Sequence, residues 1–338
     1  MKQELEIIKQ LFNSLSDTDK KTLIKSLKSG NKSKTAPKFS IIKEIKECPH
    51  CKSSKFVKNG TSRGTRRFLC RECGKSFTTT NNTIFANGKK DLSVWQKYIH
   101  CMIEKYPLRK TAEICGVSLP TAFAWRHKIL DTLQEMQEQV KLDGVVEADE
   151  TFVPLSFKGH HKSFNLPRLA KHRGEPATRR GLSKEQVCVT CCVNLDGLSI
   201  SKISNLGKPK LKDLEKVLSG KINQDSVFVT DSFRAYLKLS NDMELNHIRI
   251  PRNKYSNGAF NIQVINSYHS RLKAMLTYNF KGVSTKYLNN YLVYHNFVNF
   301  AKDSRSDKER ILLNHIISTD CISKSIDIAN RPAIPVAA

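Results

Sequence analysis

Val145-Val146-Glu147-Ala148-Asp149-Glu150-Thr151-Phe152-Val153 decides how the second half of this chain folds. The run is rich in β-branched residues and bounded by Gly144 and Pro154, which suits a largely buried strand. It carries Asp149 in its middle, and another apolar run, Val227-Phe228-Val229-Thr230, stops at Asp231. Val187–Val193 and Ile200–Ile203 read as further strands, and Leu211–Leu218 as a helix between strands. Gln263–Leu276 and Lys286–Lys302 read as long closing helices. From Asp143 onward the pattern is therefore α/β, a sheet with flanking helices. A sheet fixes a side chain while the strand end stays open to solvent. Two carboxylates on neighbouring strands could bind Mg²⁺, which takes oxygen ligands and keeps waters for a phosphate substrate. Two metals about 3.5–4 Å apart could clamp the attacking and leaving oxygens of an in-line phosphoryl transfer. Singly, each aspartate reads as a cap or a surface charge; the shared setting is what points to chemistry.

A third piece lies in Ile265-Asn266-Ser267-Tyr268-His269-Ser270-Arg271-Leu272-Lys273. On a helix, Asn266 and Lys273 share a face two turns apart, and His269 is on the same side. An oxygen donor and a lysine presented to one groove suit a metal and a phosphate. A solvated helix face is the plainer alternative.

Upstream, Cys48-Pro-His-Cys51 and Cys70-Arg-Glu-Cys73 form two tight pairs separated by eighteen residues. Each two-residue gap makes one turn, and four thiolates on two such turns match a structural Zn²⁺ site. A disulfide framework is disfavoured, because the N-terminus shows no secretory signal and the other six cysteines form no pattern. Cys188, Cys191 and Cys192 lie in an apolar strand and read as small buried hydrophobes, as do Cys101 and Cys115. A zinc ribbon is thus expected over 44–80. Residues 90–138 read as helical, and Leu108–Ile129 has the layout of a helix-turn-helix, with Gly116 at the turn and Ser118 capping the second helix. Residues 1–40 hold two short amphipathic patterns, Leu5–Phe12 and Leu23–Leu27, and a Gly/Ser/Lys linker. Residues 303–338 are polar and then proline-rich, and read as a loosely packed tail.

The chain has 338 residues, and its 57 Lys+Arg against 31 Asp+Glu give a formal charge of +26. Residues 1–140 hold 27 basic and 13 acidic residues, so the excess is spread over the whole length. Such a balance points to a polyanionic partner. Nothing approaches the run of about 18 apolar residues that a bilayer span needs, so a membrane partner is not expected. The stretch Phe157–Arg180 is especially basic, with Lys158, Lys162, Arg168, Lys171, Arg173, Arg179, Arg180 and three histidines against Glu175. It reads either as a solvated loop or as a phosphate-binding one. The aromatics of Lys286–Lys302 read as core.

In order and spacing, the zinc ribbon, the helical segment, Ala148-Asp149-Glu150-Thr151-Phe152, Val229-Thr230-Asp231-Ser232 and the Asn266…Lys273 helix resemble a group of bacterial insertion-sequence transposases. The resemblance covers roughly residues 5–300. It implies a ribonuclease-H-like catalytic domain over 141–302, with a mixed sheet and flanking helices. It implies Asp149 and Asp231 as aspartates that bind Mg²⁺ or Mn²⁺, Asn266 in the third position of the triad and Lys273 as a phosphate contact. Asp231 and Asn266 are 35 positions apart, close to the family's interval. Asn266 stands where the commonest triad has Glu. Its amide oxygen can bind a cation but brings neither charge nor base, and His269 is an alternative third ligand.

The resemblance further implies recognition of terminal inverted repeats, metal-dependent strand cleavage and strand transfer on double-stranded DNA, and a homo-oligomer that holds two element ends. The expected setting is a bacterial cytoplasm, at the nucleoid. A zinc-ribbon regulator without catalysis is the rival from another class, and it has no need of the Asp149, Asp231 and Asn266 set. A metal-dependent nuclease that cuts without joining is the other rival.

Overall fold

The computed structural model describes Ser16 and residues 45–62, 65–86, 88–159, 166, 168–171, 175, 178–299 and 304–335. Apart from Ser16, the patterns expected over residues 1–40 lie outside these residues, as do the histidines of the basic stretch.

A three-stranded antiparallel sheet comes first, formed by β1 (Phe56–Ser62), β2 (Thr65–Cys70) and β3 (Ser76–Thr78). Its own apolar centre is small: Phe77 is buried, and Phe56 and Phe68 pack on it with ring centroids 5.6 Å away. Three helices follow, α1 (Leu92–Ile103), α2 (Leu108–Cys115) and α3 (Leu119–Glu138). Gly116 ends α2 in the left-handed region at φ 60°, as a C-cap requires. The Ser118 hydroxyl starts α3 by accepting from the Thr121 N–H at 3.3 Å. Trp95 and Trp125 stack at 3.6 Å between centroids and tie α1 to α3.

The second half is built on a five-stranded sheet, of order β6-β5-β4-β7-β8. Its members are β4 (Val145–Pro154), β5 (Gln186–Asn194), β6 (Ser199–Leu206), β7 (Val227–Thr230) and β8 (Asn246–Arg249). β4, β5 and β6 are antiparallel neighbours, while β7 and β8 run parallel to β4. Three antiparallel strands extended by two parallel ones give the ribonuclease-H-like order that the resemblance implied. Helices α4 (Leu211–Leu218) and α5 (Arg234–Asp242) cover one face, where Val146, Ala148, Phe228, Leu214 and Tyr236 form the core. After a two-residue hairpin, β9 (Ser256–Asn257) and β10 (Phe260–Asn261), helix α6 (Gln263–Ala274) crosses the other face. It runs on as a π-helical turn, Met275–Asn279. Helix α7 (Leu288–Asn299) packs on β6 and α3. It is shorter than Lys286–Lys302, because Thr285–Tyr287 forms a separate 3₁₀ turn and residues 300–303 lie outside the described set.

The loosely packed tail expected over 303–338 is corrected by the structure. Helix α8 (Arg305–Ser318) buries Leu312, Leu313, Ile316 and Ile317 against α1 and α3. A short α9 (Ser325–Ala329) follows, and Arg331 Nη2 donates to both carboxylate oxygens of Asp131 in α3 at 2.6 and 2.8 Å. The apolar residues of 311–317 recur at helical spacing, so burial outweighs the polar residues around them.

Candidate active site and metal centre

Strand register brings Asp149 and Asp231 together. Ala148 of β4 stands opposite Thr230 of β7, so the next residue on each parallel strand is an aspartate. Adjacent strands lie about 4.8 Å apart, which sets the two side chains beside each other. The end of β7 is held in place, since the Ile250 N–H donates to the Thr230 carbonyl at 2.8 Å. Asp231 Oδ1 accepts from the Phe233 N–H at 2.8 Å and steers the chain into α5.

Burial pushes the Asp149 carboxyl up to about 6, and the charge of Asp231 pushes the same way, while the Glu150 N–H and Lys273 oppose both. Two neighbouring carboxylates, one of them raised by burial and by the other's charge, form a site where a divalent cation would be favourable. Their oxygens suit Mg²⁺ or Mn²⁺, so the donor set fits such an ion.

Helix α6 is clamped over this pair by contacts absent from the sequence expectations. Glu147, two residues before Asp149 and on the same face of β4, is buried, and its Oε2 accepts from the Ile265 N–H at 2.8 Å. A carboxylate at a helix N-terminus satisfies an otherwise orphaned N–H and complements the helix dipole. One turn later the Tyr268 hydroxyl donates to Asn296 Oδ1 at 2.5 Å and lies 2.8 Å from the Ser201 hydroxyl. The Asn296 amide in turn donates to Gln137 of α3 at 2.7 Å, which links the helical segment to the sheet. An acid inside the apolar run at Glu147 was the one sequence signal for this clamp.

Within α6, His269 is buried and its Nδ1 lies 3.8 Å from Asp149 Oδ2. Burial, then Lys273, lowers His269 to about 4, so the ring is neutral near pH 7 and makes no ion pair. At 3.8 Å it is also too far for a hydrogen bond. Asn266 and Lys273, three residues before and four after His269, are exposed, and no contact ties the Asn266 side chain to the aspartate pair among the described residues. Lys273 is close enough to Asp149 to pull its pKa down. On the opposite sheet face, burial pushes the Glu150 carboxyl up to about 7, countered by the Tyr236 hydroxyl and reinforced by both aspartates. Glu150 Oε1 and the Tyr236 hydroxyl are buried without a hydrogen bond of good geometry.

The four N-terminal cysteines converge as their spacing predicted. Cys48, Cys51, Cys70 and Cys73 have sulfurs all within 4.8 Å of one another, with Cys48–Cys73 at 3.8 Å and Cys51–Cys70 at 3.5 Å. Tetrahedral zinc with Zn–S bonds of about 2.3 Å separates its sulfurs by about 3.8 Å, so the cluster could hold an ion such as zinc. The two knuckles repeat each other. Lys52 N–H donates to Cys48 O at 2.9 Å and Gly74 N–H to Cys70 O at 3.1 Å. Both residues have positive φ, 63° at Lys52 and 67° at Gly74. The His50 ring is not needed as a ligand; its backbone N–H approaches Cys48 Sγ at 3.4 Å.

The basic stretch after β4 is not one uniform patch. Lys158 Nζ donates to the carbonyls of Lys281 and Gly282 at 2.9 and 2.8 Å, and Arg168 donates to Leu155 O at 2.8 Å. Those cations fasten the loop, whereas Arg179 and Arg180 are exposed. In the helix-turn-helix-like segment, Arg109, Lys110, Ile114, Ser118 and Leu119 are exposed, while α3 beyond its first turn is largely covered. No helix among the described residues is long and apolar enough to cross a membrane.

These elements have known relatives. Residues 141–298, from just before β4 to the last turn of α7, match the ISXO2-like transposase domain family. A protein described as uncharacterized, in transposable element ISH50 of Halobacterium salinarum, is 25% identical over 248 residues, which span 72% of this chain and 82% of that protein. A chain in the crystal structure of a pre-cleavage Mos1 transpososome aligns over 62% of this chain and 72% of its own length, at 12% identity and a TM-score of 0.26, too distant a likeness to bear on the fold. The stretch that matches this family, residues 141–298, contains the five-stranded sheet and the helix over it.

Proposed function

We propose that the protein is a DNA transposase of an insertion sequence, which recognises terminal inverted repeats, cleaves the strand at each end and joins the freed 3′-hydroxyl to target DNA. The observation that carries this reading is the strand register that sets Asp149 beside Asp231 within a transposase-family domain. Asp149 and Asp231 would hold Mg²⁺ or Mn²⁺, with the Asn266 amide oxygen as third donor. An ion held there would supply Lewis-acid stabilisation of the attacking and leaving oxygens.

The chain's own side chains do the rest. Lys273, at the rim beside Asp149, holds a DNA phosphate and orients the scissile bond. Neutral His269 backs Asp149 and excludes water behind it. Glu147 and Tyr268 keep the helix in place so that Asn266 and Lys273 do not drift, and a displacement of about 1 Å could cost about 10²-fold in rate. In the first step water attacks the phosphodiester, the P–O3′ bond breaks and a 3′-hydroxyl leaves; in the second that hydroxyl attacks a target phosphodiester, forming a new P–O bond as the target strand's own 3′-oxygen leaves and takes up the proton that the attacking hydroxyl gives up. No covalent protein intermediate forms.

The zinc ribbon and the open face of α2 and the first turn of α3 bind double-stranded DNA, zinc having a structural part only. Holding two element ends calls for a homo-oligomer. The test is an assay in which duplexes bearing the element termini, labelled at the 3′ end, are incubated with the protein and Mg²⁺ or Mn²⁺. Joined products that disappear in Asp231→Ala are expected. Cleavage without joining would favour a nuclease, and neither reaction, with tight binding, a regulator.

A further inference from the structure

Between β8 and α6 the chain makes an excursion that the chemistry above leaves unused. Every residue from Pro251 to Ala259 is exposed. Tyr255, at 92% exposure, is the most open large apolar side chain among the described residues. Yet the segment is well fastened. The Lys254 N–H donates to Pro251 O at 3.0 Å, closing a turn with Asn253 at φ 69°. The Asn257 amide donates to Arg249 O at 3.0 Å, and Asn261 Oδ1 accepts from the N–H of Gln263, the first residue of α6, at 2.9 Å. Arg249 itself donates to Ser232 O at 2.9 Å, next to Asp231. Both ends of the excursion are thus pinned to the elements that carry Asp231 and Asn266.

The surroundings of Tyr255 select one class of partner. Arg252 and Lys254 flank it, and no Asp or Glu occurs between Glu244 and Asp303. An exposed ring held on a turn, flanked by cations in a stretch of chain without acids, matches nucleic acid, where cations meet phosphates and a ring stacks on a base. Inside a duplex every base face is already stacked, so a ring placed here serves a base at a strand end or one turned out of the helix. Tyr255 is five residues from Ile250, at most about 17 Å of chain, which equals about five nucleotides at 3.4 Å each.

We propose that hairpin 251–261 grips DNA beside the scissile phosphate, with Tyr255 stacking on an unpaired base within about five nucleotides of it and Arg252 and Lys254 meeting the flanking phosphates. The inference rests on the transposase reading, yet it is tested by binding alone. Full-length protein is titrated against short duplexes that are blunt or end in an unpaired overhang carrying 2-aminopurine. Wild type should prefer the overhang and change the probe's fluorescence. Tyr255→Ala should lose the overhang preference by roughly five- to a hundredfold, the range of one base–aromatic stack, and bind blunt duplex within about twofold of wild type. Tyr255→Phe and Tyr255→Trp should retain the preference. Circular dichroism of each variant checks the fold. No overhang preference in wild type, or an unchanged preference in Tyr255→Ala, overturns the proposal, as does a change in self-association with DNA preference intact, which would make Tyr255 a contact between copies. Asp149→Ala should keep the overhang preference while losing strand joining. If it joins normally, the transposase reading fails whatever Tyr255 does.

Discussion

Asp149→Asn should make the metal-free protein more stable and unable to respond to Mg²⁺. The substitution keeps the shape and removes one charge from the Asp149–Asp231 pair. Burial chiefly, and Asp231 next among the charges, raises the Asp149 carboxyl from 3.8 to about 6. A raised carboxyl pKa means that folding disfavours the ionised form. Its favourable contribution is fully present below pH 3.8 and is lost as the pH rises through about 6. A shift of about two units corresponds to about 3 kcal/mol at 1.36 kcal/mol per unit. The side chain is 23% exposed, so solvent does not screen most of this. At pH 7.5 in EDTA the variant should therefore gain up to about 3 kcal/mol, or roughly 6–12 °C in Tm at about 2–4 °C per kcal/mol. The gap should narrow as the pH falls toward 4. Saturating Mg²⁺ should raise the Tm of wild type and leave the variant unmoved. Differential scanning calorimetry at pH 4.5, 6 and 7.5, with EDTA or Mg²⁺, reads all of this. A variant that melts at or below wild type at pH 7.5 in EDTA, or that gains as much from Mg²⁺, would refute the reasoning.

Three further outcomes are expected. Cys70→Ser should release zinc from a ribbon whose own core is little more than Phe56, Phe68 and Phe77, so a chelation colour assay should fall from about one zinc per chain to none and the 45–80 segment should become sensitive to protease. Asn266→Asp should tighten Mg²⁺ binding measured by calorimetry, because it adds a charge at the rim, whereas Asn266→Ala should weaken it and lower joining by about tenfold or more. With a formal charge of +26, DNA affinity should fall by orders of magnitude between about 50 and 200 mM salt, and a nearly flat salt plot would remove nucleic acid as the main partner.

Legibility in the sequence followed the range of the interactions. Cys48-Pro-His-Cys51 and Cys70-Arg-Glu-Cys73 were readable because each knuckle is local, and the Gly116 and Ser118 boundary was readable because caps are written within four residues. The strands were readable from apolar runs, one with Asp149 in its middle and one that stops at Asp231. β8 was not: Asn246-His247-Ile248-Arg249 has one aliphatic residue, and its place comes from pairing with β7 and from His247 bridging the Thr230 and Ser240 hydroxyls at 2.8 Å each. Glu147 reads as one more acid in a strand until its partner, 118 residues on, is known. The hold of Tyr268 on Ser201 and Asn296 is hidden for the same reason. Helix α8 is hidden in the sequence because charged residues fill its first two turns, and only its contact with α1 and α3 gives the later apolar residues somewhere to go.

The most direct measurement is metal rescue of strand joining in Asp149→Cys. A thiolate is a poor ligand for Mg²⁺ and a better one for Mn²⁺, which lies nearer the softer metals. If Asp149 holds the reactive cation, the variant should bind DNA normally, join no ends in Mg²⁺ and regain joining in Mn²⁺, while Asp149→Ala stays inactive in both. Parental joining by either variant in Mg²⁺, or no Mn²⁺ rescue in a folded Asp149→Cys protein that binds DNA, would contradict the account.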